Sequence, residues 1–439
     1  LPRSAKRRRW RCEQPSMVLM VEALSSSVAR FVKYPHFVDG SPLACLSTCC
    51  RLLQSSESSV QLAAYHTLVK LIPALVELDM KESENNVALS CQHVDKTLIF
   101  TQTIIETILS GLSFGDTCIV EPFTDSYTYV RCYLLLWSAL LEMCTQACSQ
   151  LRALYTTWLK VPSDQKYLEK PKMYADVICT ETNWEIEEYL TVFMKTVFCL
   201  MPEVVLHGGV ATQRTTQYFS KPPQLDKGVW GSDRLAQLSC WVFACGLRRL
   251  PAAIRQWWNE ADHKVYTLVE HVTSTYVSPD LCAEEMRAIQ LQEKKFDNMT
   301  VHVMGTAKEV YAVYTVEESR MELVIELAHN HPLGLVKVKS GQRMVSTTQT
   351  RQWLLQITIF LTHQNGSIWD ALELWKNNLD KRFEGVEECY ICFAILHSVS
   401  HQLPKQSCPT CRKKFHSHCL YKWFTTSNKS TCPICRNLF

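Results

Sequence analysis

The segment "CPTCRKKFHSHCLYKWFTTSNKSTCPICR", from Cys408 to Arg436, carries cysteines in pairs separated by two residues. A further pair, Cys389 and Cys392, is separated from Cys408 by fifteen residues. Zinc prefers four nitrogen or sulfur ligands in a tetrahedron, and a C-x2-C loop lets two thiolates reach one ion without strain. The eight paired ligands therefore predict two zinc ions. They are Cys389, Cys392, Cys408, Cys411, His416, Cys419, Cys432 and Cys435.

One ligand has two candidates, because "HSHC" contains both His416 and His418. His416 has the same two-residue spacing to Cys419 as the other pairs, whereas His418 is adjacent to Cys419 and its side chain diverges. The spacing therefore favours His416 and leaves His418 in solvent. His397 and His401, in the loop between the first two pairs, are expected at the surface. A segment this short has little apolar core, so we expect zinc to supply most of its folding free energy.

The ligand order of four cysteines, a histidine and three cysteines is typical of two families, the RING and the PHD fingers. PHD fingers carry an aromatic residue two positions before the seventh ligand, where this chain has Ser430. RING domains carry a hydrophobic residue inside the first pair, a tryptophan four residues after the sixth ligand, and a proline and often an arginine after the seventh and eighth ligands. Those positions hold Ile391, Trp423, Pro433 and Arg436. The segment resembles a RING.

The RING resemblance implies roles for these residues within a predicted domain at residues 386–439. Ile391, Trp423 and Pro433 would form an apolar patch that docks a ubiquitin-charged conjugating enzyme, or E2. Arg436 has a planar fork of donors, and it would bridge the E2 and its ubiquitin and hold the thioester in a reactive pose. Only "NLF" follows Arg436, so we expect direct transfer to a substrate lysine, without a covalent ubiquitin intermediate on this chain.

Two other functions stay open at this point. A two-zinc chromatin reader of the PHD type would bind histone peptides and would not discharge ubiquitin. A non-catalytic helical scaffold would keep its function when the zinc ligands are replaced.

The composition of the 439 residues is that of a globular protein, with 47% hydrophobic and 20% charged residues and a net charge of +3. The chain has 21 cysteines but no signal peptide, so its thiols indicate a reducing compartment, the cytosol or the nucleus. Of the two, the cytosol is expected. The longest apolar run, "YLLLWSALL" (Tyr133 to Leu141), is too short to span a bilayer, and no membrane partner is expected. The chain begins with Leu1, which suggests part of a longer protein.

Residues 17–258 are predicted to be helical throughout. "LAAYHTLVKLIPALVEL" places an apolar stripe at helical spacing, and similar runs occur near 97–112, 130–160, 184–201 and 233–250. The stripe consists of Leu62, Tyr65, Val69, Ile72 and Val76. A HEAT/ARM-like solenoid or an irregular bundle would fit, with Trp137, Trp158 and Trp184 in the core. Residues 1–16 include the basic "KRRRWR" and are expected to be disordered.

Residues 259–385 change pattern. "MTVHVMG", "EVYAVYTV", "RMELVIELA" and "GLVKVKSG" alternate apolar and polar residues, which predicts an antiparallel meander between helices. The order of helix, meander, "HPLG" and helices resembles the RWD domain, a relative of the E2 fold. No cysteine lies between Cys282 and Cys389, so such a domain could not form a ubiquitin thioester and would be an interaction module.

Helical repeats, an RWD-like domain and a terminal RING in this order resemble the end of the listerin family. The resemblance is most specific at "KKFHSHCLYKWF" and "STCPICR", and "RQWW" and "YVSP" support it. Members are RING-type E3 ubiquitin ligases of ribosome-associated quality control. The resemblance implies partners: an E2, ubiquitin, and the large ribosomal subunit with a stalled nascent chain and a nuclear-export-mediator-type cofactor. It also implies that the helical part is an arm and that the RWD-like part docks on the ribosome.

Overall fold

The computed structural model describes residues 42–55, 57–89, 125–159, 189–207, 213–225, 232–292, 296–316, 319–341, 347–364, 366–397, 399–400 and 402–439. The basic stretch 1–16, the helical run 97–112, Trp184, His401 and the side chain of Trp158 lie outside the described residues. The chain divides into two compact units, Leu1–Val277 and Ser278–Phe439. The domain limits expected at 16, 258 and 385 stay predictions.

The described part of the first unit is helical, as predicted. Its α-helices are α1 (Pro42–Leu53), α2 (Ser58–Leu89), α3 (Asp125–Gln146), α4 (Ser149–Leu159), α5 (Tyr189–Leu200), α6 (Glu203–Leu206), α7 (Gln213–Ser220), α8 (Ser232–Arg249), α9 (Pro251–Glu260) and α10 (His263–Val272). A π-helical turn, Thr273–Val277, follows α10. Trp137 is fully buried, and its ring stacks on Phe193 with centroids 4.1 Å apart, so its predicted place in the core is confirmed.

The buried face of helix α2 is wider than the predicted apolar stripe. Leu62, Ile72 and Val76 are buried, whereas Tyr65 and Val69 are only half-buried. The helix packs against both α1 and α3, and two contact directions widen the buried face. The additional buried leucines of α2 are Leu68, Leu71 and Leu75.

Among the described helices, α2 is long and apolar enough over Ser58–Lys81 to cross a membrane by length and composition. Half of that stretch is nevertheless buried within the unit. The fully buried Gln61 donates hydrogen bonds to the carbonyls of Leu53 in α1 (2.7 Å) and of Thr128 in α3 (3.1 Å). Such interhelical contacts are those of a core helix in a globular unit.

The second unit opens with α11 (Ser278–Gln290) and a four-stranded antiparallel meander. The strands are β1 (Met299–Met304), β2 (Glu309–Val316), β3 (Ser319–Glu326) and β4 (Lys337–Ser340), hydrogen-bonded in chain order. Helices α12 (Thr347–His363) and α13 (Ile368–Phe383) follow. The predicted sequence of helix, meander and helices is confirmed.

One face of the meander forms the core of this sheet domain. The pairs Val310–Ile325, Ala312–Leu323 and Tyr314–Met321 lie opposite each other in β2 and β3, and all six side chains are buried. They pack with buried side chains of α11, α12 and α13 in one apolar cluster. The Tyr314 hydroxyl donates a hydrogen bond of 2.7 Å to Asp380, which fixes α13 against the sheet.

The cysteine-rich segment contains a two-stranded ribbon, β5 (Gln406–Ser407) and β6 (Lys414–Phe415), followed by α14 (Ser417–Ser427). Its small apolar core includes the buried Phe415 and Leu420. Phe439 closes this core, because its ring contacts those of Phe415 and Phe424 at centroid distances of 6.0 and 5.7 Å.

The loop between the first two cysteine pairs packs against the core of the sheet domain. Leu396 is only 4% exposed and is a member of the sheet domain's apolar cluster, and Leu403 packs against the same cluster. The cysteine-rich segment is therefore attached to the sheet domain by apolar contacts as well as by the chain.

Candidate functional site

Three C-x2-C loops share one backbone conformation. The residue after the second cysteine of each loop has a positive φ: Phe393 at 54°, Arg412 at 58° and Arg436 at 60°. Its N–H donates to the carbonyl of the first cysteine, over 2.7, 2.9 and 3.0 Å in that order. This tight turn brings both thiols of a pair to the same side of the loop. The two thiols of each pair are therefore positioned to bind the same ion.

The first ligand cluster contains Cys389, Cys392, His416 and Cys419, whose ligand atoms all lie within 4.8 Å of one another. The Nδ1 atom of His416 is 3.3 Å from the Cys392 sulfur and 3.8 Å from the Cys419 sulfur. Ligands at the bond lengths of tetrahedral zinc lie roughly 3.5–3.8 Å apart. The two measured distances are close to this range, so the four side chains are near enough to one another to bind one ion.

The second cluster contains Cys408, Cys411, Cys432 and Cys435, again within 4.8 Å. The sulfurs of Cys408 and Cys435 are 3.6 Å apart, and those of Cys411 and Cys432 are 3.7 Å apart. The first and third ligand pairs therefore form one cluster, and the second and fourth pairs form the other. The two ligand sets are thus interleaved along the chain.

The acid–base properties of the thiols fit a zinc site. The backbone N–H of Cys411 lowers the pKa of the Cys408 thiol to about 6. Burial raises the pKa of Cys419 to about 12, and the adjacent Cys392 and Cys389 act in the same direction. Crowded thiols cannot all ionise unless a cation balances their charge, and zinc binds thiols as thiolates. The prediction of two zinc sites is confirmed in this sense: two Cys/His clusters that could each bind one ion are present.

His416 is oriented by a neighbouring carbonyl. Its Nε2 lies 3.1 Å from the carbonyl oxygen of Ile395, to which it can donate, and Nδ1 then faces the thiols with its lone pair. The His416 side chain is fully buried, whereas His418 is exposed. The structure thus places His416, and not His418, in the cluster.

The expectation that His397 lies at the surface is wrong. Its side chain is only 8% exposed, and its ring is 5.4 Å from that of His416 and 4.7 Å from that of His418. Its Nδ1 accepts hydrogen bonds from the backbone N–H groups of Val399 and Ser400. The loop folds back over the first cluster, a long-range contact that no local sequence pattern reveals.

Trp423 and Pro433 are brought together by a hydrogen bond between α14 and the third C-x2-C loop. The indole N–H of Trp423 donates to the carbonyl of Thr431, two residues before Pro433, over 3.0 Å. Trp423 is 37% exposed, Pro433 is half-buried, and the adjacent Ile434 is 48% exposed. Trp423 therefore both supports the loop and presents part of its ring to solvent.

Ile391 and Arg436 lie on two of the zinc-binding loops. Ile391, between Cys389 and Cys392, is half-buried against the small apolar core. The apolar core against which Ile391 packs also contains Cys419 of α14. Trp423 follows Cys419 by four residues and therefore lies on the same face of that helix. Arg436 is exposed on the third loop. The zinc-binding framework thus supports all four predicted contact residues on short, constrained segments.

Phe393 and Ile434 are exposed apolar residues of this segment that the sequence patterns did not single out, and they lie directly beside zinc-ligand residues. Phe393 is 70% exposed directly after Cys392, and Ile434 lies beside Pro433. The repeated C-x2-C spacing could have indicated Phe393, since it directly follows a cysteine pair.

Three family models match the chain along its length. They are the LTN1 family HEAT repeat region at residues 41–169 and 184–290, the ubiquitin conjugating domain-like family at 299–382, and the Ring finger domain at 387–436. Their order is that of the helical unit, the sheet domain and the cysteine-rich segment.

Curated relatives extend across these regions. The chain is 39% identical to the E3 ubiquitin-protein ligase listerin of Gallus gallus and 40% identical to that of Mus musculus, in both cases over 408 residues and 90% of this chain. It is 40% identical over 403 residues, 88% of this chain, to the protein of the same name from Drosophila melanogaster. The chain spans about a fifth of the length of these relatives, since the alignments cover 22%, 22% and 21% of them. Because the LTN1 family model matches more than half of its residues, the chain belongs to the LTN1 family, whose curated relatives are named listerin.

Proposed function

We propose that this chain acts as a RING-type E3 ubiquitin-protein ligase, which recruits a ubiquitin-charged E2 and promotes direct transfer to substrate lysines. The observation that carries the proposal is the pair of interleaved Cys/His clusters. They support Ile391, Pro433 and Arg436 on constrained loops and Trp423 on helix α14. The match to the Ring finger domain over residues 387–436 supports the same function.

In the proposed mechanism, zinc has a structural role and the chain contributes positioning. The apolar patch of Ile391, Trp423 and Pro433 would bind the E2, since exposed aromatic and aliphatic groups on rigid loops are suited to docking. A substrate lysine amine would attack the thioester carbonyl. The carbon–sulfur bond breaks, the E2 thiolate leaves, the amine nitrogen gives up a proton to water, and an isopeptide bond forms. Arg436 would donate hydrogen bonds to both E2 and ubiquitin and hold the thioester in the reactive pose.

The docking role is tested with the E2 loaded with ubiquitin and with free lysine as acceptor. We expect Ile391→Ala to weaken E2 binding by about 2 kcal/mol, roughly thirtyfold, because it removes an apolar contact at the centre of the interface. Zinc content, measured by metal analysis, should stay at two ions per chain, which separates docking from folding. Retained affinity and discharge in this variant would contradict the proposed docking surface.

Arg436 is tested by its effect on the reaction rather than on binding. Arg436→Ala leaves both clusters and the apolar patch in place, so the uncharged E2 should bind as before. Single-turnover discharge at saturating chain should slow roughly ten- to a hundredfold, because ubiquitin is no longer held in the reactive pose. Arg436→Lys should recover only part of the rate, since an ammonium group cannot reproduce the planar fork. An unchanged discharge rate would show that Arg436 is a surface charge without a role in the reaction.

We further propose that the ligase works in the cytosol on nascent chains stalled on large ribosomal subunits, beside a nuclear-export-mediator-type cofactor. Membership of the LTN1 family supports this proposal. Cosedimentation of the chain with purified large subunits carrying a nascent chain tests it, with small subunits as the control. Equal recovery with both subunits would contradict a specific ribosomal role.

A further inference from the structure

Helix α12 presents apolar side chains on two opposite faces. Ile357 and Leu361 are buried in the apolar cluster of the sheet domain. Leu355 and Ile359 lie roughly 160° around the helix from them, because each residue advances the helix by about 100°, and they are 60% and 40% exposed. A helix that packs only against its own domain needs a single apolar stripe. The second stripe therefore indicates a surface that binds another molecule.

The second stripe lines a groove between α12 and α13 that is open to solvent and has a volume of about 630 Å³. The half-buried Phe360 and Leu374 also line it. Along α12 the lining extends from Gln352 to Gln364, which is about 18 Å or three turns of helix. A groove of this length between two helices is suited to a third helix, whose side chains can pack against both walls.

Contacts at the turn and between the two helices hold the groove in shape. The N–H of Gly366 donates to the carbonyl of Phe360 over 3.2 Å, and the Phe360 ring lies so close to Gly366 that a side chain there would collide with it. Asn378 of α13 donates a hydrogen bond of 3.2 Å to Gln356 of α12. Because the walls are already fixed, little additional order would be needed when a partner binds.

One end of the groove is acidic. Asp370 and Glu373 lie one turn apart on α13, and both line the groove near the turn that joins the two helices. Burial raises the pKa of the nearby Glu285 in α11, and the charge of Asp370 acts in the same direction. None of the described residues that line the groove is basic. A partner with a lysine or arginine at this end would therefore gain electrostatic complementarity.

We propose that the α12–α13 groove binds an amphipathic α-helix of a partner protein, with a lysine or arginine of that helix at the acidic end. A helix placed in an apolar groove is anchored by side chains at positions i, i+3 or i+4 and i+7. Such a stripe matches the spacing of Leu355 and Ile359, and the basic residue matches Asp370 and Glu373. The inference does not depend on the proposed ligase function, since the groove shares no residue with the two Cys/His clusters.

A phage-displayed library of helical peptides about twelve residues long, selected on the full chain, tests this assignment. We expect the selected peptides to share apolar residues at helical spacing and a basic residue at one end. Leu355→Gln should weaken binding of a selected peptide about tenfold, measured by fluorescence polarisation. The matched control is Leu335→Gln, at a leucine of the same domain that is 61% exposed, and it should leave affinity unchanged. Both variants should unfold at the temperature of the unsubstituted chain, because both leucines are exposed.

The acidic end has its own test. Glu373→Gln removes the charge and keeps the size of the side chain. It should weaken binding of a selected peptide about threefold, as expected for a solvent-exposed ion pair. A version of the same peptide with glutamine in place of its basic residue should bind the Glu373→Gln variant and the unsubstituted chain equally.

Two results would overturn the inference. The first is equal binding of the selected peptides to the Leu355→Gln variant and to the unsubstituted chain, which would place their site outside the groove. The second is a dimer of the chain in sedimentation that Leu355→Gln converts into a monomer, because the groove would then serve contact between copies of this chain.

Discussion

At the scale of single residues, the two histidines of "HSHC" differ in every respect that matters for metal binding. His416 is fully buried, lies beside three thiols and is oriented by the Ile395 carbonyl, whereas His418 is exposed and contacts the ring of His397. The number of residues between each histidine and Cys419 favoured His416. Two intervening residues let the His416 and Cys419 side chains point to one ion, whereas adjacent side chains diverge.

We expect His416→Ala to lose the zinc of the first cluster, since three thiolates without the imidazole leave one coordination position open. His418→Ala is the matched control and should keep two zincs per chain. Metal analysis of the purified full chain, with a chelator titration, measures both. Loss of zinc in the His418 variant with retention in the His416 variant would reverse the assignment.

At the scale of elements, the three residues after Arg436 pair with the segment that precedes Cys432. Thr431 and Leu438 form an antiparallel bridge, and the N–H of Phe439 donates to the carbonyl of Ser430 over 3.0 Å. The Phe439 ring then covers Phe415 and Phe424. Phe439 thus enlarges a core that was expected to be small.

We therefore expect Phe439→Ala to destabilise the zinc-binding domain by about 1–3 kcal/mol, less than for a fully buried phenylalanine. Leu438→Ala is the control, because the Leu438 side chain is 76% exposed and its backbone pairing survives the change. Its effect should stay within about 0.5 kcal/mol. Chelator-induced unfolding followed by tryptophan fluorescence provides the measurement, and equal effects of the two changes would argue against a core role for Phe439.

At the scale of the whole molecule, the second unit joins an E2-like domain to the zinc-binding domain through Leu396 and Leu403. This contact uses the loop between the first two ligand pairs and leaves Trp423, Ile434 and Phe393 exposed. The side chains of Trp423 and Ile434 are therefore not covered by the E2-like domain.

Leu396→Asp tests the coupling between the two domains. A carboxylate in the apolar cluster is costly to bury, so the loop should detach from the sheet domain. Hydrogen exchange of residues 393–397 should rise by an order of magnitude or more, while zinc content stays at two. Val399→Asp, at a side chain that is 75% exposed, is the control and should leave exchange unchanged. Equal protection in both variants would show that Leu396 does not anchor the loop.

Much of the fold follows from local patterns. The alternation in residues 299–340 is sufficient for the meander, since side chains of a strand point to opposite faces and half of them must be buried. The C-x2-C spacing is sufficient for the ligand pairs, because a loop of that length brings two thiols to one point. Helix α2 shows the limit of such patterns, since a helix contacted on two sides has no single apolar stripe.

The sequence by itself determined the eight candidate ligands, the order of helical region, meander and zinc-binding segment, and the choice of His416 over His418. Only the tertiary structure decided that His397 is buried over the first cluster, that Leu396 enters the core of another domain, and that Phe393 is left exposed. The physical reason is the distance along the chain between the residues that interact. Ligand spacing and strand alternation are properties of neighbouring residues, whereas burial depends on which distant segment packs against a side chain, and that depends on the free energy of the whole fold.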